Sequence, residues 1–436
     1  MEYAEALEAL ERHINYPTWG QGVIRAGATH GLGLERMEKL VEVLGQPQSA
    51  YPVIHVTGTN GKGSTARVVT RLLQACGLTV GTYTSPHLER YNERIRVNDE
   101  DVSDEAFASA IATVTRVEPM LDEPPSHFEL LTAAALTHFA DIAVDVAVVE
   151  VGLLGRFDAT NVVDADVAVV TNVGRDHTDF EGDWRRRIAE EKAGIIKERS
   201  RLVLGPVGSR LEEVFLAERP ADVWHHGRDF DCDSNALAVG GRLVTLRTPF
   251  HQVPELFLPL HGAHQGENAA TALAAAEAFF GRPLADDVIH EAFEQVTMPG
   301  RFEVVQRNPL VVLDGAHNPD GAEAAARVLA EEFTVDGRRT LVVGILTGRD
   351  PAEMLRGLGA SEFDRVICVT APSPRGLPSD ELAAAARGLG LNAEPAPSIE
   401  AGLGWAYAGA KPPDLIFVSG SLYLVGTARS LLVARR

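Results

Sequence analysis

The sequence predicts an α/β protein of two domains, and three observations predict it. The chain has 436 residues, which is more than one hydrophobic core usually supports. Valine-rich runs of strand length alternate with helical stretches along most of it. The alternation restarts after Pro299-Gly300, where proline and glycine end the preceding helix. We therefore expect an N-terminal domain over residues 1–298 and a C-terminal domain over residues 299–436.

The N-terminal domain is predicted to contain a mostly parallel sheet of the P-loop type, with helices on both faces. Continuous apolar runs indicate strands that are buried on both faces. The predicted strands are Tyr51–Thr57, Thr79–Thr84, Val144–Val149 and Asp166–Thr171. Helical stretches supply the crossovers that parallel strands require, and they are predicted at Ser64–Ala75 and Glu129–Ala140.

The stretch Asp222–Leu260 has a different pattern from the rest of this domain. It contains Gly240-Gly241, alternating strand-like segments and little helix. This pattern predicts a small antiparallel excursion. An alanine-rich helix over Asn268–Phe280 is expected to follow it.

The C-terminal domain is predicted to be a smaller Rossmann-like α/β domain. Its predicted strands are Leu310–Leu313, Thr340–Gly344, Arg365–Val369 and Leu415–Val418. Its predicted helices are Gly321–Glu332, Pro351–Leu358, Ser379–Leu389 and Ser421–Ala434. Strands that alternate with helices in this way are typical of a parallel sheet.

Composition argues against several functional classes. A formal net charge of −21 argues against nucleic acid as a partner, because phosphate backbones are bound by basic surfaces. The three cysteines form no CxxC pair, which argues against a disulfide framework and a cysteine zinc site. The N-terminus is typical of a charged amphipathic helix rather than a signal peptide, and no run approaches the roughly 18 apolar residues of a membrane span. We expect a cytoplasmic protein without a membrane partner.

The strongest local motif follows the first predicted strand and opens the first predicted crossover helix. It consists of Gly58, Thr59, Asn60, Gly61, Lys62, Gly63 and Ser64. Glycines let backbone N–H groups approach phosphates, and a helix N-terminus favours negative charge. Lys62 would reach the distal phosphates, and Ser64 or Thr65 would supply a hydroxyl. The spacing departs from GxxxxGK[ST], so a glycine-rich turn without a ligand is the alternative.

Three polar residues come at or just after the ends of predicted strands. Glu150 closes one strand, and Ser85 and His177 follow two others. A carboxylate at the carboxyl end of a parallel strand lies on the ligand-binding edge and could hold Mg²⁺. The alternatives are a solvent-exposed strand end for Glu150 and a structural role for His177.

An ordered series of motifs carries a family resemblance over nearly the whole chain. It comprises LGLERM near Leu32, GTNGKGS, TSPHLERYNERI, FELLT, EVGLLGRFDATN, TNVGRDHT, EKAGIIK, HQGEN, MPGRFE, LDGAHNP and SGSLYLVG. This series resembles the folylpolyglutamate synthase and dihydrofolate synthase family of the Mur ligase superfamily. SPHLERYNERI and LDGAHNP are similar to the folate branch rather than to the wall-peptide ligases.

The resemblance implies a set of site residues. Ser85, Glu150 and His177 are implied as magnesium ligands. Lys192 on sequence alone is a solvated helix lysine, whereas the family has a carbamylated, metal-holding lysine there. The other implied roles are nucleotide binding by Asn268, Asp314 and His317, a phosphate grip by Arg301, and acceptor contacts by Phe128, Glu129, Asp158 and Ala159. Catalysis would depend on Lys62, Lys192, His177 and Arg301.

Two departures from the family pattern concern the acceptor. Leu154 stands where the family usually has glycine, so leucine would be costly if that position needs positive φ. Arg175 stands where the family normally has a hydrophobic residue before Asp-His. Both could change which acceptor is used.

The resemblance implies an ATP-dependent amide ligase. It would add L-glutamate to dihydropteroate, to reduced folate (poly)glutamates, or to both, through an acyl phosphate. ATP and Mg²⁺ are the implied cofactors, and the implied state is a monomer. The alternatives are a related ligase with another carboxylate acceptor and a nucleotide-binding homologue without activity.

Overall fold

The computed structural model describes residues 1–13, 33–175 and 181–433. The chain divides into two compact units. The first consists of Met1–Ala236, Leu243–Pro259 and Gln265–Val296. The second consists of Thr297–Arg436 and two earlier segments, Leu237–Arg242 and Leu260–His264. The domain limits 1–298 and 299–436 stay a prediction.

The first unit is organised around an eight-stranded, mostly parallel sheet. Its strands are β1 (Val53–Thr57), β2 (Val80–Tyr83), β3 (Ile95–Val97), β4 (Glu100–Asp101), β5 (Val146–Glu150), β6 (Val167–Val170), β7 (Arg201–Leu204) and β8 (Asp222–His225). The order across the sheet is β4-β3-β2-β5-β1-β6-β7-β8, with β3 and β4 antiparallel to their neighbours. Strands β1, β5 and β6 lie at its centre and are buried along their whole lengths.

Helices cover both faces of this sheet, as the unbroken valine runs predict. The first unit contains α1 (Tyr3–Glu11), α2 (Glu35–Val43), α3 (Lys62–Ala75), α4 (Asp104–Val117), α5 (His127–Asp141), α6 (Trp184–Ala193), α7 (Ser209–Leu216), α8 (His264–Phe280) and α9 (Asp286–Glu294). In residues 1–13, 33–175 and 181–433, no helix has the length and apolarity needed to cross a bilayer.

The predicted excursion is a separate three-stranded antiparallel sheet of β9 (Asp231–Ala238), β10 (Gly241–Arg247) and β11 (Gln252–Leu258). It starts later than predicted, because β8 pairs in parallel with β7 and belongs to the large sheet. Helix α8 starts four residues before the predicted Asn268. Asn268 therefore lies inside the helix, where its Nδ2 donates a hydrogen bond to Gln265 Oε1 at 2.9 Å.

The second unit has a six-stranded sheet in the order β12-β13-β17-β14-β15-β16. Its strands are β12 (Glu303–Arg307), β13 (Leu310–Asp314), β14 (Arg339–Val343), β15 (Arg365–Cys368), β16 (Ala393–Pro395) and β17 (Leu415–Ser419). Only β12 is antiparallel to its neighbour among these described strands. The helices are α10 (Pro319–Glu332), α11 (Pro351–Gly357), α12 (Ser379–Gly388), α13 (Ile399–Tyr407) and α14 (Leu422–Val433). The predicted α/β fold class is confirmed, and β12, β16 and α13 are additions to it.

Candidate functional site

The strand order of the large sheet brings the predicted strand-end residues together. Parallel strands present their carboxyl ends at one edge, and β2, β5, β1 and β6 are successive neighbours in the sheet. Ser85 follows β2 and Glu150 ends β5, while the Gly58 loop follows β1 and Asn172 follows β6. Elements far apart in sequence therefore form one polar edge.

Two glycines of the loop allow close packing against neighbouring elements. Gly58 has a φ of 153°, and a Cβ there would lie 1.8 Å from the Thr171 hydroxyl oxygen. Gly61 has a φ of 82°, and a Cβ there would lie 2.3 Å from Asn268 Oδ1. A side chain at either position would displace the loop from β6 or from α8. These glycines form a cradle that any other residue would partly fill.

Hydrogen bonds from the end of β6 fix the loop. The Asn60 N–H donates to Asn172 Oδ1 at 3.0 Å, and Asn172 Nδ2 donates back to the Asn60 carbonyl at 2.9 Å. The Thr171 hydroxyl donates to the same carbonyl at 2.6 Å. The motif analysis missed Thr171 and Asn172, although their place at the end of a buried strand could have indicated them.

The first turn of α3 carries the polar groups suited to an anion. Gly61 precedes the helix, so the N–H groups of Lys62, Gly63 and Ser64 have no partner in the preceding turn. The Lys62 ammonium lies over the loop and donates to the carbonyls of Gly58 and Thr59, at 3.1 and 3.2 Å. Thr65 is fully buried and Ser64 is half-buried, so Ser64 is the accessible hydroxyl of the two.

Glu150 lies at the centre of the polar edge. The Ser85 N–H donates to Glu150 Oε2 at 3.0 Å. A Cβ on Gly63 would lie 3.4 Å from the same oxygen, so the carboxylate borders the first turn of α3. Glu150 is only 4% exposed, which excludes the solvated strand end. His177 lies outside the described residues.

Lys192 is buried at 3% exposure, so the sequence-based expectation of a solvated helix lysine is wrong. The reason is that the segment after β5 packs closely on the end of α6. A Cβ on Gly155 would lie 2.8 Å from the Glu191 carbonyl and 3.1 Å from Lys192 Cα. The Arg156 N–H donates to the Glu191 carbonyl at 2.7 Å. The chain leaving Glu150 thus covers the helix that bears Lys192.

Asn161 connects the same two segments and was missed by sequence reasoning. Its Nδ2 donates to the carbonyls of Arg156 and Gly194, at 2.9 and 3.0 Å. Its Oδ1 accepts from Lys197 Nζ at 2.9 Å. One buried amide therefore ties the segment after β5 to the end of α6. The FDATN motif contains Asn161, but only the fold shows its partners.

Asp158 is held rigidly by its own neighbourhood. Oδ1 accepts from the Thr160 N–H and hydroxyl at 3.0 and 2.5 Å, and Oδ2 accepts from the Leu153 N–H at 2.7 Å. Because the Thr160 hydroxyl donates to Asp158, it accepts from His55 Nε2, which lies 2.9 Å away. Burial lowers the pKa of His55 to about 3 and raises the pKa of Asp158. A neutral histidine in β1 thereby helps to orient this carboxyl.

The other predicted acceptor contacts lie close to Asp158 or on α5. A Cβ on Gly152 would lie 2.4 Å from the Phe128 ring and 3.1 Å from Asp158 Oδ2, so these side chains border the same glycine. Ala159 is buried directly after Asp158. Glu129 accepts from the Ser126 N–H at 2.6 Å and pairs with Arg36 at 3.2 Å. Glu129 therefore also has a structural role in starting α5.

Leu154 has a φ of 59°, so this position does require the left-handed backbone. Its side chain is 7% exposed and packs with Ile188, Trp184 and Val173. Its carbonyl accepts from the Thr57 hydroxyl at 2.7 Å, next to the phosphate loop. Burial of the leucine side chain offsets the backbone strain. Arg175, the other departure, is half-buried, and residues 176–180 after it are outside the described part.

In the second unit, three predicted residues surround Gly315. Arg301 NH1 and His317 Nδ1 contact the Gly315 carbonyl, at 3.1 and 3.0 Å. Asp314 accepts from the N–H groups of Phe302 and Ala316, at 3.2 and 3.0 Å. Burial raises the pKa of Asp314, while the Arg301 charge acts in the opposite direction. The structure therefore brings Arg301, Asp314 and His317 into one cluster.

Family comparisons account for both units. Residues 56–276 match the Mur ligase middle domain. Residues 300–422 match the family described as Mur ligase, glutamate ligase domain. Together with the glycine cradle and the buried carboxylate, these matches define an ATP-dependent ligase of the Mur type.

Similar proteins of known name indicate which family of Mur-type ligases the chain belongs to. The chain is 41% identical over 382 residues to the dihydrofolate synthase/folylpolyglutamate synthase of Mycobacterium tuberculosis, covering 81% of this chain and 77% of the relative. It is 36% identical to the Escherichia coli protein of the same name, covering 94% of this chain and 93% of the relative. The chain belongs to the dihydrofolate synthase/folylpolyglutamate synthase family.

Solved structures agree with this assignment. Mycobacterium tuberculosis folylpolyglutamate synthase complexed with ADP and AMPPCP has a TM-score of 0.88 and 37% identity, covering 92% of this chain and 95% of that one. Escherichia coli FolC in complex with DHPP and ADP has a TM-score of 0.87 and 33% identity, covering 100% and 99%. A bifunctional folylpolyglutamate synthase/dihydrofolate synthase with Mn, AMPPNP and L-glutamate bound has a TM-score of 0.85 and 30% identity, covering 99% and 98%.

Proposed function

We propose that this protein adds L-glutamate to dihydropteroate, to reduced folate (poly)glutamates, or to both. The observation that carries the proposal is the buried Glu150 carboxylate, held by the Ser85 N–H beside the first turn of α3. Similar proteins contain ADP, L-glutamate or DHPP in their solved structures, which supports the same substrates here. ATP would transfer its γ-phosphoryl group to the acceptor carboxylate, which releases ADP and forms an acyl phosphate. The amine of L-glutamate would then attack the acyl carbon, the C–O bond to phosphate would break, and inorganic phosphate and a proton would leave.

The nucleotide phosphates would lie in the glycine cradle. The backbone N–H groups of the first turn of α3 and the Lys62 ammonium would neutralise their charge. Ser64 would supply the hydroxyl, and Asn268 borders the loop at Gly61. Nucleotide binding by Arg301, Asp314 and His317 is likewise part of the proposal. Among these residues, Lys62 and Arg301 carry the positive charges that phosphoryl transfer requires.

Magnesium would be held by Ser85, Glu150 and His177. Mg²⁺ prefers one or two protein oxygens together with phosphates and water, and Ser85 and Glu150 are neighbours that provide such oxygens. Bound Mg²⁺ would neutralise phosphate charge. A similar solved structure contains Mn, which supports a divalent metal in this chain.

We further propose that Lys192 is carbamylated, which turns a cation into an anion that helps to hold a metal. The position of Lys192 beside Gly155, in the segment that follows Glu150, supports this proposal. Phe128, Glu129, Asp158 and Ala159 would contact the pteridine-bearing acceptor. A cytoplasmic monomer divided near residue 298 remains our proposal for the whole chain.

The second candidate is a Mur-type ligase with a different carboxylate acceptor. The strained Leu154 favours it, because the segment that contains this leucine also contributes the Leu153 N–H that fixes Asp158. A change in this segment would alter the proposed acceptor contacts while leaving the phosphate loop intact.

The test is phosphate release from ATP by the purified protein with Mg²⁺ and L-glutamate. Dihydropteroate and tetrahydrofolate are offered in parallel, and products are identified by mass spectrometry. Product with dihydropteroate alone indicates a dihydrofolate synthase, and product with both indicates a bifunctional enzyme. Binding of ATP without glutamylation of either acceptor would favour the second candidate.

Two variants test the assigned residues. Glu150→Gln should abolish turnover, because it removes the carboxylate charge without changing the size of the side chain. Glu100→Gln is the matched control, since Glu100 is an exposed residue of β4. Equal activity of both variants would contradict the proposed metal role of Glu150.

A further inference from the structure

The segment between β2 and β3 contains a buried arginine without an acidic partner. Arg94 is only 8% exposed. Its Nε donates to His87 Nδ1 at 2.9 Å, and its guanidinium lies over the Tyr91 ring, 5.3 Å from the centroid. Among the described residues, no carboxylate forms an ion pair with it. In contrast, Arg90 and Arg96 each pair with an aspartate, at 2.7 and 2.6 Å.

The groups that face Arg94 do not compensate its charge. His87 Nδ1 accepts from Arg94 Nε, so this imidazole does not carry a proton on both nitrogens. Burial lowers the pKa of His127 to about 4, and the Arg94 charge acts in the same direction. Both imidazoles are therefore neutral at pH 7. The Tyr91 hydroxyl lies 3.3 Å from His127 Nε2, so the phenol is paired with one of these rings. The cluster of His87, Tyr91, Arg94 and His127 has one net positive charge.

A buried cation is stable when an anion pairs with it. The terminal nitrogens of Arg94 find no acceptor in the described part of the chain, yet they are not fully buried, so they remain accessible. A guanidinium of this kind presents a fork of N–H donors that matches a carboxylate. The cluster is thus suited to a ligand carboxylate with a single negative charge.

The location of the cluster relates it to the proposed acceptor site. The Thr84 N–H donates to the Arg94 carbonyl at 3.0 Å, and the next residue is Ser85, which contacts Glu150. His127 immediately precedes Phe128, a proposed acceptor contact. The backbone of Arg94 is therefore bonded to the residue before Ser85, and the cluster includes the residue before Phe128.

We propose that Arg94 binds the carboxylate of a folate acceptor that does not react, namely the α-carboxylate of the glutamate that the acceptor already carries. This inference rests on the proposed function. A permanent anion suits this position, because the reacting carboxylate changes its charge when it is phosphorylated. Dihydropteroate has a single carboxylate, the reacting one, so it would not use Arg94.

The experiment is calorimetric titration of the full chain, with Mg²⁺ and AMPPCP present, with tetrahydrofolate and with dihydropteroate. For Arg94→Met we expect about 10- to 100-fold weaker binding of tetrahydrofolate, the range for a hydrogen bond to a charged group. Binding of dihydropteroate should not change. Equal weakening for both acceptors, or no weakening for either, would overturn the inference.

Arg90→Met is the matched control, because Arg90 is a neighbouring arginine whose partner, Asp104, is on the protein itself. It should leave both affinities unchanged. A loss of affinity for tetrahydrofolate alone in this variant would contradict the proposed role of Arg94. Should Arg94→Met fail to fold, Arg94→Lys keeps the charge but loses the fork, and a smaller selective loss is expected. If the wild type binds neither acceptor, the proposed function itself fails.

Discussion

Two loops at the same edge of the large sheet use left-handed backbone in different ways. The phosphate loop places glycine at Gly58 and Gly61, where neighbouring side chains come within 1.8 and 2.3 Å of the missing Cβ. The segment after β5 places leucine at Leu154, with a φ of 59° and an apolar cluster around its side chain. The difference shows that a position requires glycine when neighbouring atoms lie close to where a Cβ would be, and not because of positive φ alone.

The largest expected effect comes from closing the glycine cradle. Gly58→Ala should lower kcat/KM for ATP about 100-fold, because displacement of a binding loop by about 1 Å has effects of this size. Gly77→Ala is the control, since Gly77 has a φ of 87° but nothing within 4 Å of its Cβ position. It should cost about 1 kcal/mol of stability and leave kcat/KM unchanged. Similar kinetics for the two variants would refute the role of close approach.

The next effect concerns the amide that holds the second loop. Asn161→Ala should lower the free energy of unfolding by about 2 kcal/mol, because it leaves buried carbonyls and Lys197 without their partner. We also expect kcat to fall about tenfold, since Lys192 is on the helix that Asn161 fixes. Urea unfolding and steady-state kinetics measure the two quantities.

Asn392→Ala provides the comparison for Asn161. Asn392 Nδ2 donates to the Asp364 carbonyl at 2.9 Å in an exposed position. Loss of this bond should cost less than about 1 kcal/mol and leave kcat intact. A larger cost at Asn392 than at Asn161 would contradict the assigned role of the buried amide.

A smaller effect distinguishes strain from packing at Leu154. Leu154→Ala loses buried surface and keeps the strain, whereas Leu154→Gly loses the same surface and relieves it. Leu154→Gly should therefore be about 1 kcal/mol more stable than Leu154→Ala. At Leu72, a buried position inside α3, the order should reverse by about 1 kcal/mol. Urea unfolding of the four variants tests this. If the alanine variant is the more stable one at both positions, Leu154 is unstrained.

The smallest effect is a pH dependence near α8, outside both loops. The hydrogen bond to Glu267 raises the pKa of His226, and Asp231 adds to it at 3.2 Å. The stabilisation is therefore complete below about pH 6.5 and is lost as the pH rises through the raised pKa. Because the groups are partly exposed, the loss should stay below about 1 kcal/mol. Thermal melts of wild type and His226→Gln should converge at high pH, and a constant difference would disprove the pairing.

The sequence predicted the elements whose signal is local. The valine runs of β1, β5 and β6 and the glycine motif before α3 each identify themselves within a few residues. Glu150 and Ser85 could be related because parallel strands end at a common edge. For this reason the fold class and the common position of Glu150 and Ser85 at one edge followed from the sequence, whereas Thr171 and Asn172 did not.

The remainder depends on contacts between distant segments. The burial of Lys192 results from the approach of Gly155, 37 positions earlier in the chain. Asn161 and Thr171 bond to Gly194 and Asn60, partners that no local pattern specifies. Helix α8 starts before the predicted position and includes Gly266, where Cys232 and Asn235 approach the backbone closely.

The discontinuous second unit has a consequence for how this protein can be divided. Glu332, whose side chain is 2% exposed, pairs with Arg242 and His261, which precede residue 298 in sequence. A fragment that begins at residue 299 would lack both side chains that pair with this carboxylate. Recombination of the C-terminal part between relatives therefore has to exchange Leu237–Arg242 and Leu260–His264 along with it. A single crossover would separate residues that depend on one another.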